Sequence, residues 1–185
     1  MFTDAATQLA TPGAIGVIPT DTVYGVVARA SDPVAVQRLY ALKDRNSKPG
    51  TIIAASQQQL EALGLKHRYL TNVQQYWPGP LSVIIPCGPE LEYLHQGKHG
   101  LAVRLPAGDE LQALLVQTGP LLTSSANHPA QPTATTMQEA QDYFGPKVDF
   151  YMDGGDLSGH QPSTIIRIID DAIEIIRAGA VTIDV

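Results

Sequence analysis

Five short segments of this sequence set polar side chains against apolar runs. In Pro19-Thr20-Asp21-Thr22 the apolar run AIGVI meets a proline, which cannot donate to a strand ladder, so a strand should end there. Thr20, Asp21 and Thr22 then lie at a strand's C-terminal edge, where α/β sheets commonly bind ligands, and their side chains can hydrogen-bond a small polar molecule. An Asx or Ser/Thr turn closing the strand accounts for the same residues. In LKDRNSKPG, Lys43, Arg45 and Lys48 follow a predicted helix with only Asp44 between them. Such cations complement a helix dipole, or they gather around a phosphate or carboxylate that arginine grips as a planar fork and lysine as a point charge.

LLTSSANHPAQPT again runs an apolar strand into small polar residues, Thr123, Ser124, Ser125 and Asn127. The backbone amides and hydroxyls of such a turn can cradle a phosphate, and they can equally form an ordinary cap. QPSTIIR opens a strand with Ser163 and Thr164, and IIRAG brings Arg177 close to Gly179. Other chemistries find less support. The sequence has no G-x-S-x-G, no P-loop and no G-x-G-x-x-G. His95 and His99 are four apart, but Gly97 and Gly100 argue against a helix there, and no HExxH is present. Cys87, the one cysteine, is expected as a small buried residue, Asp153–Asp156 (DGGD) as a glycine-rich turn and Trp77 as a packing anchor.

The elements that must position these segments follow from periodicity and caps. Helices are predicted over Thr3–Ala10, from Asp32-Pro33 to about Lys43, from Ser56 to about Leu63, over Tyr69–Tyr76 and over Asp109–Gln117. Another is predicted from Thr136, in capping-box spacing with Glu139, to Phe144. Strands are predicted at Ala14–Ile18, Thr51–Ala55, LSVIIP, LAVRLP, Leu121–Thr123, VDFYM, STIIRII and AIEIIRAG, the last two joined by a turn at Asp170-Asp171. Helices interleave with strands early and strands cluster late, which predicts a mixed parallel and antiparallel sheet with helices packed on it. No linker interrupts it, so residues 1–185 are read as one domain.

Composition sets the outer bounds. With 185 residues and 44% hydrophobic content the chain is globular, and no apolar run approaches the ~20 residues of a membrane span. The N-terminal MFTDAATQLATPG does not have the pattern of a signal peptide, so a cytoplasmic protein without membrane contact is expected. Net charge is −6, which argues against a general nucleic-acid binder. Against that background Arg29, Arg38, Lys43, Arg45 and Lys48 face only Asp32 and Asp44 in the same stretch, which suggests a local anion site.

Taken in order, PTDTVYG, KDR…KP, WPGPLSVII, AVRLP, SSAN, PSTII and RAG resemble the YrdC family, over about Ile15 to Gly179. The resemblance implies an α/β fold with a twisted mixed sheet and a concave, locally basic active-site face. It implies synthesis of threonylcarbamoyl-AMP and pyrophosphate from L-threonine, bicarbonate or CO2, and ATP, with Mg2+ accompanying the ATP. A tRNA threonylcarbamoyl-transfer complex would take the product; whether the chain itself binds tRNA is left open. By motif, Thr22, Arg104, Thr123 and Ser163 would hold L-threonine, with Arg104 on its carboxylate. Arg45, Lys48, Ser125, Asn127, Thr133 and Arg177 would hold ATP, and Lys43, Arg45 and Lys48 would stabilise charge, with no covalent nucleophile and no protein-bound metal. Two other readings compete: a non-catalytic RNA-binding module, and a carbamoyl-transfer domain acting on another acceptor. The sequence departs from the family in RNSKP, which is one residue short and lacks an Arg-Pro, and in KPGTIIAA, where some members carry a histidine. It ends soon after RAG, where longer members continue into a further domain.

Overall fold

The computed structural model describes residues 2–44, 48–170 and 172–183, so Arg45 and Asp171 lie outside the described residues. In chain order the elements are α1 (Phe2–Leu9), β1 (Ile15–Ile18), β2 (Gly25–Arg29), α2 (Pro33–Leu42), β3 (Thr51–Ile53), α3 (Gln57–Leu63), α4 (His67–Thr71), β4 (Leu81–Pro86), α5 (Glu92–His95), β5 (Gly100–Arg104), α6 (Asp109–Thr118), β6 (Leu121–Ser125), α7 (Met137–Phe144), β7 (Phe150–Tyr151), β8 (Thr164–Ile169) and β9 (Ala172–Arg177). The strands form one sheet in the order β7-β1-β2-β6-β3-β5-β4-β8-β9. Its β1–β7, β3–β5 and β4–β8 pairs are parallel and the other pairs antiparallel, the mixed sheet that the element order predicts.

The caps expected from sequence form. The Asp32 carboxylate accepts from the Val34 and Ala35 amides at the start of α2, Ser56 accepts from Gln59 N, and Thr136 accepts from Glu139 N. The Glu139 carboxylate reaches back one residue further than a capping box requires, to the amide and hydroxyl of Thr135.

Several expectations need correction. Ile18 pairs with Gly25, so AIGVIPTDTVYGVVA is a hairpin, two strands joined by Pro19–Tyr24, where only the first strand was expected. The helix predicted over Tyr69–Tyr76 is two pieces, α4 and a 3-10 turn at Gln74–Tyr76. α5 was not expected at all, and VDFYM contributes only Phe150 and Tyr151 to the sheet.

Strand alternation sorts the sheet into two faces. One carries Ile15, Val17, Val26, Ala28, Ile52, Val83, Ile85, Leu101, Val103, Leu122 and Ile166, packed against side chains of α2, α3, α4, α5 and α7. The other carries Ile18, Val27, Ile53 and Leu121, packed against Ala5 and Leu9 of α1 and Leu111, Leu114 and Leu115 of α6. These two helices cover only part of their face. Moving along the strands, Leu121 gives way to Thr123 and Ser125, Ile53 to Thr51, and Val27 to Gly25. Ala102 and Arg104 of β5 project on this same side, and all six residues line an open cleft. Among the described residues no helix is long and apolar enough to cross a membrane.

Candidate active site

The bare part of the second face is an open cleft walled by Thr20, Thr22, Thr51, Arg104, Thr123 and Ser163 among others. Six sequence-predicted residues meet here: Thr22, Arg104, Thr123, Ser125, Ser163 and Arg177. Their segments are far apart in the chain, and the strand order brings them together.

Thr22 is positioned by its own loop. The Thr20 hydroxyl donates to Val23 O at 2.8 Å and accepts from the Thr22 and Val23 amides, each at 3.2 Å. The two hydroxyl oxygens lie 3.0 Å apart. Thr22 is part of the cleft wall, where its hydroxyl can hydrogen-bond a ligand. The Ser/Thr turn expected for PTDT forms, and it leaves Thr20 and Thr22 on the cleft wall. Gly25 keeps the neighbouring wall thin: a Cβ there would come within 2.5 Å of Thr123 Oγ1.

PSTII and RAG form one clamp. Arg177 Nη2 donates to Ser163 O at 2.6 Å and to Ser163 Oγ at 3.0 Å, and Nε also donates to Ser163 O. Ser163 Oγ lies 3.0 Å from Ser82 Oγ. Ala180 N donates to Pro162 O, and a Cβ on Gly179 would collide with that carbonyl oxygen and stand 2.7 Å from Ser163 C. Ser82 and Thr51 were missed by sequence reasoning. Their signal was a single polar residue in the apolar strands LSVII and TII, on the face that the cleft occupies.

Asp21 had no role beyond its turn. Its carboxylate Oδ1 accepts from Arg104 Nη1 and its Oδ2 from Ala107 N at 3.0 Å. Arg104 is thus tied at one nitrogen, while its buried Nε has no hydrogen-bonding partner among the described residues.

The cations are arranged differently from the sequence expectation. Lys43 is not an open charge. It is buried, and its ammonium donates to Ser125 O at 2.6 Å, to Asn127 O, and to Asn127 Oδ1 at 2.9 Å, with the Phe144 ring 5.9 Å away. Asn127 is used internally as well: Oδ1 also accepts from Ser125 Oγ, and Nδ2 donates to Gln131 O. Both residues build the SSAN turn rather than face the cleft, because a buried ammonium must find acceptors nearby. Thr133 is partly exposed and outside the cleft wall. Arg38 forms a two-pronged pair with Asp149 and bonds Gly13 O and Lys147 O, so it too is drawn away from any common anion site. Lys48 is exposed, its amide donating to Gln96 Oε1. Arg45 lies outside the described residues.

The remaining singled-out groups have structural partners. His95 Nδ1 accepts from the Gly97 and His99 amides and Nε2 lies 3.2 Å from Gly88 O, so the ring caps its own loop. Burial, with the Glu90 charge adding, pushes the Cys87 thiol up to about 11, where it is a poor nucleophile at neutral pH. Gly154 of DGGD packs on Pro19, and its amide donates to the Tyr24 hydroxyl at 2.8 Å, which donates to Gly155 O. Trp77 Nε1 donates to Leu81 O, and Gly79 N to Leu105 O, anchoring WPGP between β4 and β5.

A family model for Sua5, YciO and YrdC proteins, described as telomere recombination, matches residues 8–179. The chain belongs to the Sua5/YciO/YrdC family. A Mycobacterium leprae relative named putative threonylcarbamoyl-AMP synthase is 33% identical over 175 residues, which are 92% of this chain and 80% of that protein. The crystal structure of Pyrococcus abyssi Sua5 complexed with L-threonine is 30% identical with a TM-score of 0.85, covering 96% of this chain and 54% of that one. This chain therefore spans little over half the length of that Sua5 chain. The Escherichia coli YciO structure, at 23% identity and a TM-score of 0.81 over 96% of this chain and 88% of that one, shows the shared fold. The family's α/β architecture is the one seen here.

Proposed function

We propose that this member of the Sua5/YciO/YrdC family is a threonylcarbamoyl-AMP synthase. It would convert L-threonine, bicarbonate or CO2, and ATP into L-threonylcarbamoyladenylate and pyrophosphate, for threonylcarbamoyl modification of tRNA by a separate transfer complex. The observation that carries the reading is the cleft itself. One buried arginine, Arg104, with a donor unpartnered among the described residues, shares it with the hydroxyls of Thr22, Thr123 and Ser163. A carboxylate, an amine and a hydroxyl on one small molecule match that set.

The threonine amine would add to CO2, giving an N-carboxylate, and this would attack the α-phosphorus of ATP and expel pyrophosphate. Positioning and charge neutralisation serve such a step, and no covalent nucleophile is required. Lys48 and Arg45 would meet the ATP phosphates, with Ser125 and Arg177 on the nucleotide side. Lys43 and Asn127 would contribute by holding the Ser125 turn. Among the described residues no group of three His, Cys, Asp or Glu side chains is placed to hold a metal, so Mg2+ would be held chiefly by the phosphates of ATP and by water. Residues 1–185 would act as one domain, in the cytoplasm.

The test is incubation of purified protein with ATP, bicarbonate and L-threonine, with pyrophosphate as the readout. Threonine-dependent release is expected. Release no greater than in serine or no-amino-acid controls would sink the reading.

A further inference from the structure

The Arg104 guanidinium has two edges that fit a carboxylate: Nη1 with Nη2 at its end, and Nε with Nη2 along its side. Asp21 Oδ1 takes Nη1, so the end-on fork is occupied. Among the described residues the buried Nε has no partner, and Asp21 alone hydrogen-bonds this guanidinium. The two side chains are 3% and 9% exposed. A buried charged donor without an acceptor is uncommon in a folded protein. Here the residue carrying it is part of the wall of the cleft, so a ligand can supply the acceptor once the wall shifts to open a path to the enclosed Nε.

Asp21 does not reach the cleft. It borders a separate hollow behind Arg104, with Pro19, Ala107 and Gly108. Its second oxygen, Oδ2, accepts from Ala107 N. Both carboxylate oxygens are therefore held by donors, one on the hairpin's own arginine partner and one on the loop after β5. An aspartate satisfies two donors at once. An asparagine cannot, because its NH2 would face one of the two N–H groups.

We propose that Asp21 is the positioning residue of the amino-acid subsite. From behind the cleft wall it holds Nη1 of Arg104, and so presents the Nε–Nη2 edge to the carboxylate of the substrate. The inference rests on the synthase reading and deepens it. Asp21 touches no substrate and acts only through Arg104.

The test compares calorimetric binding of L-threonine and of L-threoninamide, which lacks the carboxylate, to wild type, Asp21→Ala and Asp21→Asn. Wild type is expected to prefer L-threonine. Asp21→Ala is expected to weaken L-threonine by about 10- to 100-fold, in keeping with the cost of a misplaced binding group, while L-threoninamide stays nearly unchanged. The preference for the carboxylate then collapses. Asp21→Asn, which leaves the side-chain volume almost the same, serves where the alanine variant is unstable and is expected to shift the ratio in the same direction by a smaller factor. Unchanged L-threonine binding in both variants, or equal losses for both ligands as a structural ion pair would give, overturns the proposal. If wild type neither binds L-threonine nor releases pyrophosphate, the synthase reading itself fails. Normal wild-type behaviour with unaltered variants removes only the role of Asp21.

Discussion

Lys43 shows at the residue scale how identity and role separate. Its type and place in the chain suggest a cation for phosphates, yet its ammonium is enclosed by three oxygens of Ser125 and Asn127. It acts on the cleft by fixing the turn that bears Ser125. Lys43→Met is therefore expected to destabilise the fold, by about 1–3 kcal/mol for each backbone acceptor left unpaired, together with any loss of ATP binding. Urea unfolding of the two proteins checks this. An unchanged midpoint with ATP binding alone reduced would return Lys43 to the role of a ligand cation. Thr22 behaves in the opposite way: the local turn was legible in PTDT, and the same turn leaves Thr22 on the cleft wall.

At the scale of elements, the cleft depends on how close two segments can run. β8 begins beside the chain that leaves β9, and Gly179 is what permits the approach. A Cβ there meets backbone rather than a flexible side-chain tip, so the segment must move and Arg177 must loosen its hold on Ser163. Gly179→Ala is expected to cut threonine-dependent pyrophosphate release by about tenfold or more, as a misplaced binding group would. The thermal unfolding midpoint should fall as well, because the collision is with backbone, so the two proteins are compared at a temperature where both are folded. Wild-type activity in that variant would show that the PSTII–RAG clamp is not needed. The helix caps at Asp32, Ser56 and Thr136 were readable because capping is a local hydrogen-bonding problem. α5 and the divided helix after α3 were not, because they are short and rest on packing against the sheet.

For the whole molecule, two carboxylates tie α2 to the edge of the sheet. Asp149 accepts from Arg38 and from Ile15 N, and Asp32 accepts from Gly13, Val34 and Ala35 amides. Burial pulls each of them upward, but the hydrogen bonds and the nearby arginine charge outweigh it, and both sit below the ordinary value of 3.8. A depressed folded-state value means that the unfolded chain takes up protons first as pH falls. Their contribution is complete above 3.8 and is lost as pH drops through 3.8 and on through the folded-state values. Denaturant midpoints measured from neutral pH downward should fall in that window. Asp149→Asn should be less stable at neutral pH and show a shallower acid decline; an identical pH profile would exclude Asp149 as a source of it.

The sequence by itself determined most of the strands and helices through periodicity, proline breaks and caps, though not β2, α5 or the divided helix after α3, and through its ordered motifs it pointed to the family and its α/β sheet. Local physics suffices there, because each signal lies within a few residues of its effect. Tertiary structure decided everything that depends on neighbours distant in the chain. The order β2-β6-β3-β5-β4-β8-β9 assembles one cleft from six separated motifs. It encloses Lys43 and Asn127, draws Arg38 away to Asp149, and sets Asp21 against an arginine 83 positions later. Strand alternation could place each polar residue on one of two faces, but only the extent of α1 and α6 left part of one face uncovered.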